Sequence, residues 1–244
     1  MSKVSILQWN IWYLEDIKNI AQFLSENKTD VVCLQELTIN FDQQNNIHTP
    51  NYIAEQLGYH VYFQEITFAD KDMKLANAVF SKYPITNART VWVNKEQGSG
   101  NYDDENRAYV EATLDVDGEE LTIGTVHMSY THKFEPSERK LAETTNLVEA
   151  IEQNKKRFVL TGDFNAVPGS QVLTAIEQVL TNCGPEYSEN TWTTKPFSYG
   201  GFEANTLDWR LDYIFATNDI KASKAQVLST DYSDHLPVLV EIEL

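Results

Sequence analysis

The tract Phe158-Val159-Leu160-Thr161-Gly162-Asp163-Phe164-Asn165 constrains the fold more than any other stretch of the chain. Its first three residues are aromatic, β-branched and aliphatic, the composition of a short buried strand. Gly162 is read as letting the backbone turn where that strand ends. An acid and an amide follow two residues apart, and Asp163 and Asn165 point the same way as long as the backbone stays extended. The acid can take a proton from water, and the amide can hold an oxygen without adding charge. That pairing suits attack on a phosphoryl or acyl centre, although Asp and Asn after a strand also form ordinary turns.

The rest of the chain alternates strands and helices. Val4 to Trp9 forms a first strand, Asp16 to Asn27 a helix with Ile17, Ile20, Ala21 and Leu24 on one face, and Val31 to Leu34 a second strand. A crossover this short makes the two strands parallel neighbours, which brings Asn10 and Glu36 to one sheet edge. Phe41 to Pro50 is a polar loop and Asn51 to Leu57 a short helix closed by Gly58. Strands are expected at Tyr59–Ile66, Ala76–Ser81 and Thr86–Val93, then a polar loop from Asn94 to Asn106 containing Gly98 and Gly100. Arg107–Val116 and Glu120–His127 form a hairpin on the tight turn Asp117-Gly118. Helices follow at Pro136–Gln153 and Ser170–Leu180, and strands at Arg210–Thr217, Lys221–Leu228 and Pro237–Glu243. Thr181 to Trp209 is a long loop rich in aromatic residues, of the kind that usually carries function. No linker or repeat interrupts this order, so residues 1–244 are expected to form a single domain.

Polar side chains stand at six strand or loop ends: Asn10, Glu36, His127, Asp163 with Asn165, Asp212, and Asp234 with His235. Each has an ordinary reading as a cap, a turn or a surface charge. Asp212 resists it most, because Leu211-Asp212-Tyr213-Ile214-Phe215 is otherwise apolar and a buried acid is costly unless it is bonded. Together the set offers hard oxygen ligands suited to Mg²⁺, two imidazoles, and carboxylates to orient them.

These residues sit in Gln8-Trp9-Asn10, Leu34-Gln35-Glu36, Asn77-Ala78-Val79-Phe80-Ser81, Val126-His127, Gly162-Asp163-Phe164-Asn165, Arg210-Leu211-Asp212-Tyr213-Ile214 and Ser233-Asp234-His235. In this order the motifs resemble the endonuclease/exonuclease/phosphatase superfamily over nearly the whole chain. The resemblance implies a four-layer α/β sandwich, two packed mixed β-sheets flanked by helices, and hydrolysis of a phosphoester with Mg²⁺ or Mn²⁺. It implies that Glu36, Asn10 and Asp234 lie at the metal, and that Asp163 activates water with Asn165 as its companion. His235 matches the histidine at the scissile phosphate, Asp212 the acid that orients it, and His127 the second histidine. Arg107 is expected to contact phosphate, and Asn77 is a further candidate for substrate binding. Trp12 stands where the apurinic-endonuclease branch commonly has an acid, and His127 where it has an amide, which disfavours abasic-site repair.

A net charge of −17 likewise disfavours loose attraction to nucleic-acid or membrane phosphates, although a bound divalent cation would reverse the sign locally. The expected substrate is either a small-molecule or lipid phosphoester or a nucleic acid, and the lack of a basic stripe tips the reading slightly toward a non-duplex substrate. A binding or scaffold protein that kept the fold and lost the chemistry is the competing class. Trp12, Tyr13, Trp92, Tyr102, Trp192, Phe197, Tyr199, Phe202 and Trp209 are candidates for lining the pocket, or in part for the core. Lys133, Arg139 and Lys140 are read as solvated charges at a helix end. Cys33 lies in an apolar run and is read as a buried free thiol. Met1 to Ile6 lacks a signal-peptide core and no run is long enough to span a membrane. A cytoplasmic monomer without stable membrane association is therefore expected.

Overall fold

A computed structural model of the chain describes residues 2–68, 73–95 and 106–244. β1 (Lys3–Asn10), α1 (Ile17–Asn27) and β2 (Val31–Ile39) open it. Asp16 caps α1 by accepting the Lys18 amide at 2.9 Å, and Ile17, Ile20, Ala21 and Leu24 are buried on one face. The two strands are parallel, with Ile6 opposite Val31 and Asn10 opposite Gln35, as the short crossover demands. α2 (Thr49–Leu57) begins two residues earlier than expected, since Pro50 is tolerated in a first turn, and a 3₁₀ turn at Asp42–Gln44 breaks the loop before it.

β3 (His60–Phe68), β4 (Met73–Ser81), β5 (Ile85–Asn94), β6 (Arg107–Val116) and β7 (Glu119–His127) follow, and then α3 (Glu138–Ile151), β8 (Phe158–Asp163) and α4 (Gln171–Glu177). The β6–β7 hairpin closes on Asp117 and Gly118, both at positive φ (55° and 92°), as a two-residue turn of that twist requires. The expected loop from Thr181 to Trp209 is not structureless. It holds β9 (Thr181–Asn182) and a small hairpin, β10 (Phe197–Tyr199) with β11 (Phe202–Ala204), joined by Gly200 and Gly201 at positive φ. β12 (Asp212–Ala216), β13 (Lys221–Val227) and β14 (Val238–Glu243) complete the chain. Gly98, Gly100 and Tyr102 lie outside the described residues.

The strands form two mixed six-stranded sheets, ordered β13-β14-β1-β2-β4-β3 and β5-β6-β7-β8-β12-β9. Strand alternation divides their side chains between two faces. Val4 and Ile6 of β1, Leu121 and Ile123 of β7, Val159 of β8 and Ile214 of β12 meet between the sheets. Leu7, Trp9, Val32 and Leu34 turn outward under α1 and α2, while Phe158, Leu160, Tyr213 and Phe215 turn outward under α3 and α4. Helix, sheet, sheet and helix stack as the four-layer α/β sandwich that the motifs imply. Among the described residues no helix is long and apolar enough to cross a membrane.

Gly162 corrects the sequence reading. It lies inside β8 rather than at a turn, and a Cβ there would sit 2.2 Å from the Val126 carbonyl oxygen of β7. Close approach of two parallel strands, not a turn, requires glycine.

Candidate active site

Following the inward-facing positions along the strands, the space between the sheets changes character. On β1, Val4 and Ile6 give way to Gln8 and Asn10; on β7, Leu121 and Ile123 give way to Thr125 and His127; on β8, Val159 gives way to Thr161 and Asp163. β12 runs antiparallel to β8 and therefore begins, at Asp212, where β8 ends. His127 and Asp212 are the register partners of Asp163 on either side. The segment before β14 brings Asp234 and His235 to the same end, because β14 is antiparallel to β1.

Glu36 reaches this end through an irregularity that its sequence does not announce. β2 extends to Ile39, and its pairing with β4 slips by one residue between Leu34 and Leu37. Both leucines consequently pack under the helices, three residues apart, where strict alternation would put them on opposite faces. Glu36 occupies the bulge with φ at 62°. Bulges re-aim a side chain in this way, and here the carboxylate turns to the cavity.

The Asp163 carboxylate is the hub. Its Oδ2 accepts the Asn10 amide at 3.1 Å and stands 3.5 Å from His127 Nε2 and 3.6 Å from His235 Nε2. Its Oδ1 accepts the Asn165 backbone N–H at 2.8 Å. Asn165 has φ at 45°, so the acid and amide meet across a turn rather than along an extended strand. The Asn165 side-chain nitrogen donates to the Met128 carbonyl at 3.0 Å and approaches His127 Nε2 at 3.2 Å. That nitrogen has only donors, which makes His127 Nε2 an acceptor and puts the ring proton on Nδ1.

Asp212 is fully buried. One oxygen accepts a hydrogen bond from His235 Nδ1–H at 2.8 Å and the other accepts one from Gln8 Nε2 at 3.2 Å. Gln8 and Gln35 exchange reciprocal amide bonds at 2.7 and 2.9 Å, and Gln35 also donates to Thr125 at 2.8 Å. This buried network joins the two sheets beneath the site. Sequence motifs contained both glutamines, and their position on the inward face, two before Asn10 and one before Glu36, was the available signal.

Electrostatics separates the two imidazoles. Burial alone would lower the His235 pKa, but Asp212, Asp163 and Asp234 outweigh it and raise it well above the usual histidine range. His127 is driven well below that range by burial, with the positive charges of Arg107, His235 and Lys140 adding to the effect. The two rings are thus pushed apart, His235 toward the cation and His127 toward the neutral form. Burial raises Asp163 to about 6, against the lowering influence of His235. Glu36 is pushed up to about 7 by burial and then by the facing charge of Asp234.

Glu36 accepts the Asn10 amide at 3.0 Å and the Tyr13 N–H at 3.1 Å, and Asp234 accepts Trp192 Nε1 at 3.0 Å. The facing charge of Asp234 makes Glu36 costlier to ionise, the strain that a hard divalent cation between oxygen donors relieves. Asp163, Asp212 and His235 also offer ligand atoms within 4.8 Å of one another. That trio fits a cation less well: the Asp212 oxygens are occupied by Gln8 and His235, and His235 Nδ1 is engaged in the same bond. Asn10 turns its nitrogen to Glu36 and Asp163 and its oxygen to the Trp12 N–H at 3.1 Å, so it bridges the two acids.

These groups floor a cavity of about 240 Å³. Arg107 reaches its wall, whereas Asn77 does not line it; the Asn77 amide donates to the Ala108 carbonyl at 3.0 Å and ties β4 to β6 beside Arg107. Of the aromatic candidates, Trp12, Tyr13, Trp192, Phe197 and Tyr199 line the cavity. Phe202 and Trp209 pack behind them against Phe134, and Trp92 lies on β5 away from the wall. Tyr130 and Phe134, in the segment after β7, also line the cavity and were not anticipated. Lys140 is the clearest correction: it is 1 % exposed, not solvated.

Known structures share this architecture. An endonuclease/exonuclease/phosphatase from Beutenbergia cavernae superposes with a TM-score of 0.78 at 22 % identity, covering all of this chain and 72 % of that one. A mannosyl-6-phosphatase from Bacteroides thetaiotaomicron gives 0.71 at 19 %, covering 99 % of this chain and 100 % of its own. The human Nocturnin catalytic domain gives 0.71 at 17 %, covering 99 % and 93 %. No curated protein matches the sequence. The family model described as endonuclease/exonuclease/phosphatase matches residues 7–235. Those residues include every polar group of the cavity floor, and the chain is a member of this family of metal-dependent phosphoric ester hydrolases.

Proposed function

We propose that the protein hydrolyses a small phosphorylated molecule with Mg²⁺ or Mn²⁺ as its cation. The observation that carries this reading is the convergence of Asn10, His127 and His235 on one Asp163 oxygen, beside the facing acids Glu36 and Asp234. Glu36 and Asp234 would hold the cation, with Asn10 alongside. When bound, it supplies positive charge to the phosphoryl oxygens and to the leaving oxygen.

The remaining work falls to the chain's own side chains. Asp163, with its pKa brought to about 6, is suited to accept the proton of a water attacking phosphorus. As the new P–O bond forms and the ester P–O bond breaks, negative charge builds on the non-bridging oxygens. The His235 imidazolium and Arg107 line the same cavity and meet that charge. Asp212 holds the His235 ring in place, and Asn165 fixes both the Asp163 carboxylate and the neutral His127.

The walls favour a small substrate. A cavity of about 240 Å³ is below the roughly 300–1,000 Å³ of ordinary ligand sites. Aromatic rings from the β10–β11 hairpin and from Tyr130 enclose one side. Arg107 is the one lysine or arginine among the described residues that line it, which is thin provision for a nucleic-acid backbone. That the mannosyl-6-phosphatase shares the fold is compatible with a sugar-sized ester.

The test is hydrolysis of sugar phosphates, aryl phosphates, inositol phosphates, sphingomyelin, RNA and single- and double-stranded DNA, with Mg²⁺ or Mn²⁺ and with chelator. Cation-dependent turnover of a small ester is expected, and Asp163→Asn should lower it by about 10²–10⁴-fold. Preference for DNA or RNA would overturn the substrate reading; full activity in chelator would overturn the cation.

A further inference from the structure

Lys140 and Glu143 stand one turn apart on α3, and each is 1 % exposed. Neither lines the active-site cavity. Lys140 Nζ donates to the carbonyl oxygen of Phe164 at 2.7 Å and to that of Ser129. Glu143 accepts the Ser129 backbone N–H at 2.8 Å and its hydroxyl at 2.7 Å. Burial lowers the Lys140 pKa to about 8, and Glu143 and Asp163 oppose that fall. An ammonium placed this deep is costly, and apolar side chains of similar volume often replace buried ion pairs without loss of stability. Stability is thus a poor account of its presence.

The two carbonyls explain it better. Phe164 lies between Asp163 and Asn165, and Ser129 is two residues beyond His127. They belong to the segments that leave β8 and β7 just past the last backbone bond between them, Met128 N–H to the Asp163 carbonyl at 2.9 Å. On the cavity side Asn165 joins these segments through Met128 and His127. On the opposite side Lys140 joins them through Phe164 and Ser129, and Glu143 holds Ser129 to the same helix.

We propose that Lys140, braced by Glu143, is a positioning residue that clamps the segments after β7 and β8 and so holds His127 at its 3.5 Å separation from Asp163. This rests on the phosphoester-hydrolase reading for its kinetic consequence, though not for its geometry.

The test is Lys140→Met, which keeps the length of the side chain and removes the charge and the donors. Displacement of reacting groups by an ångström costs on the order of 10²-fold, so kcat should fall about 10–100-fold. KM should stay within about 3-fold, since no group contacting substrate is removed. Removing the ammonium leaves the Ser129 and Phe164 carbonyls and the Glu143 carboxylate without it, so the melting temperature should fall. The Mn²⁺ affinity of the folded variant measured by titration calorimetry should hold, and Lys140→Arg should recover part of kcat. In ¹⁵N spectra the His127 ring should change from one fixed tautomer, with its proton on Nδ1, to an exchanging average. A folded Lys140→Met with wild-type kcat and an unaltered His127 ring would overturn the proposal. If Lys140→Met does not fold, Glu143→Gln serves: a kcat loss of about 3–10-fold at unchanged KM supports the clamp, and wild-type kcat overturns it. Should the wild type hydrolyse no phosphoester, the functional reading fails and the His127 spectrum alone decides the clamp.

Discussion

The space between the two sheets has two ends built from the same strands. At one end Val4, Val159, Ile214 and Val240 interdigitate in a dry apolar core. At the other, the same alternation presents Asn10, Asp163 and Asp212, equally buried. The apolar end is stabilised by burial in itself. The polar end depends on satisfying each group separately, and it leaves acids such as Glu36 and Asp163 at raised pKa. One end therefore favours folding, while the other holds unfavourable electrostatics that a cation and a phosphoryl group can relieve. Such a division is the usual relation between a stable scaffold and a reactive site.

The sharpest way to break this contrast is Asp212→Asn, deep in the polar end. It removes the charge that favours the His235 cation, and kcat should fall by about 10²–10⁴-fold with the fold retained. A melting temperature lowered as far as by a core truncation would show that Asp212 serves the core instead. Next, Ile214→Ala, two residues along the same strand, should cost about 2–5 kcal/mol by denaturant titration and leave the turnover of folded molecules unchanged. Lost turnover there would mean that the two ends are not separable.

The smallest effect concerns pH. Glu36 has a folded pKa of about 7, above its ordinary value of 4.5. Between those limits the native state keeps a proton that the unfolded chain has released, so this group's contribution to stability falls as pH rises. In chelator, Glu36→Gln should match the wild type near pH 4.5, gain on it up to about pH 7, and hold a constant advantage above. Melts at pH 5, 6, 7 and 8 would show the gain as roughly 5–10 °C, at roughly 2–4 °C per kcal/mol for a chain of this size. A constant difference across that range would mean that Glu36 is not held at a raised pKa.

Much of this was legible before any coordinates. The parallel pairing of β1 and β2 followed from one short crossover, and the hairpin at Asp117-Gly118 from its turn residues. Polar residues closing apolar runs marked the site, because a period of two sends every second side chain inward. Other features were hidden for stated reasons. The bulge at Glu36 adds a residue without leaving a glycine or proline to signal it. The β10–β11 hairpin has strands of three residues, too short for alternation to register. Lys140 follows Glu138 and Arg139 near the start of a helix, where charge normally means solvent; its burial depends on two carbonyls contributed by the segments after β7 and β8.

The order and type of the main elements, and the identity of the groups at their ends, were determined by the sequence itself, because hydrophobic periodicity and turn chemistry act over a few residues. Which groups share an oxygen, which histidine is charged, and whether a lysine is wet or dry were decided only by the tertiary structure. Those properties depend on desolvation and on charges brought within a few ångströms from positions up to two hundred residues apart, and no local window of the chain contains them.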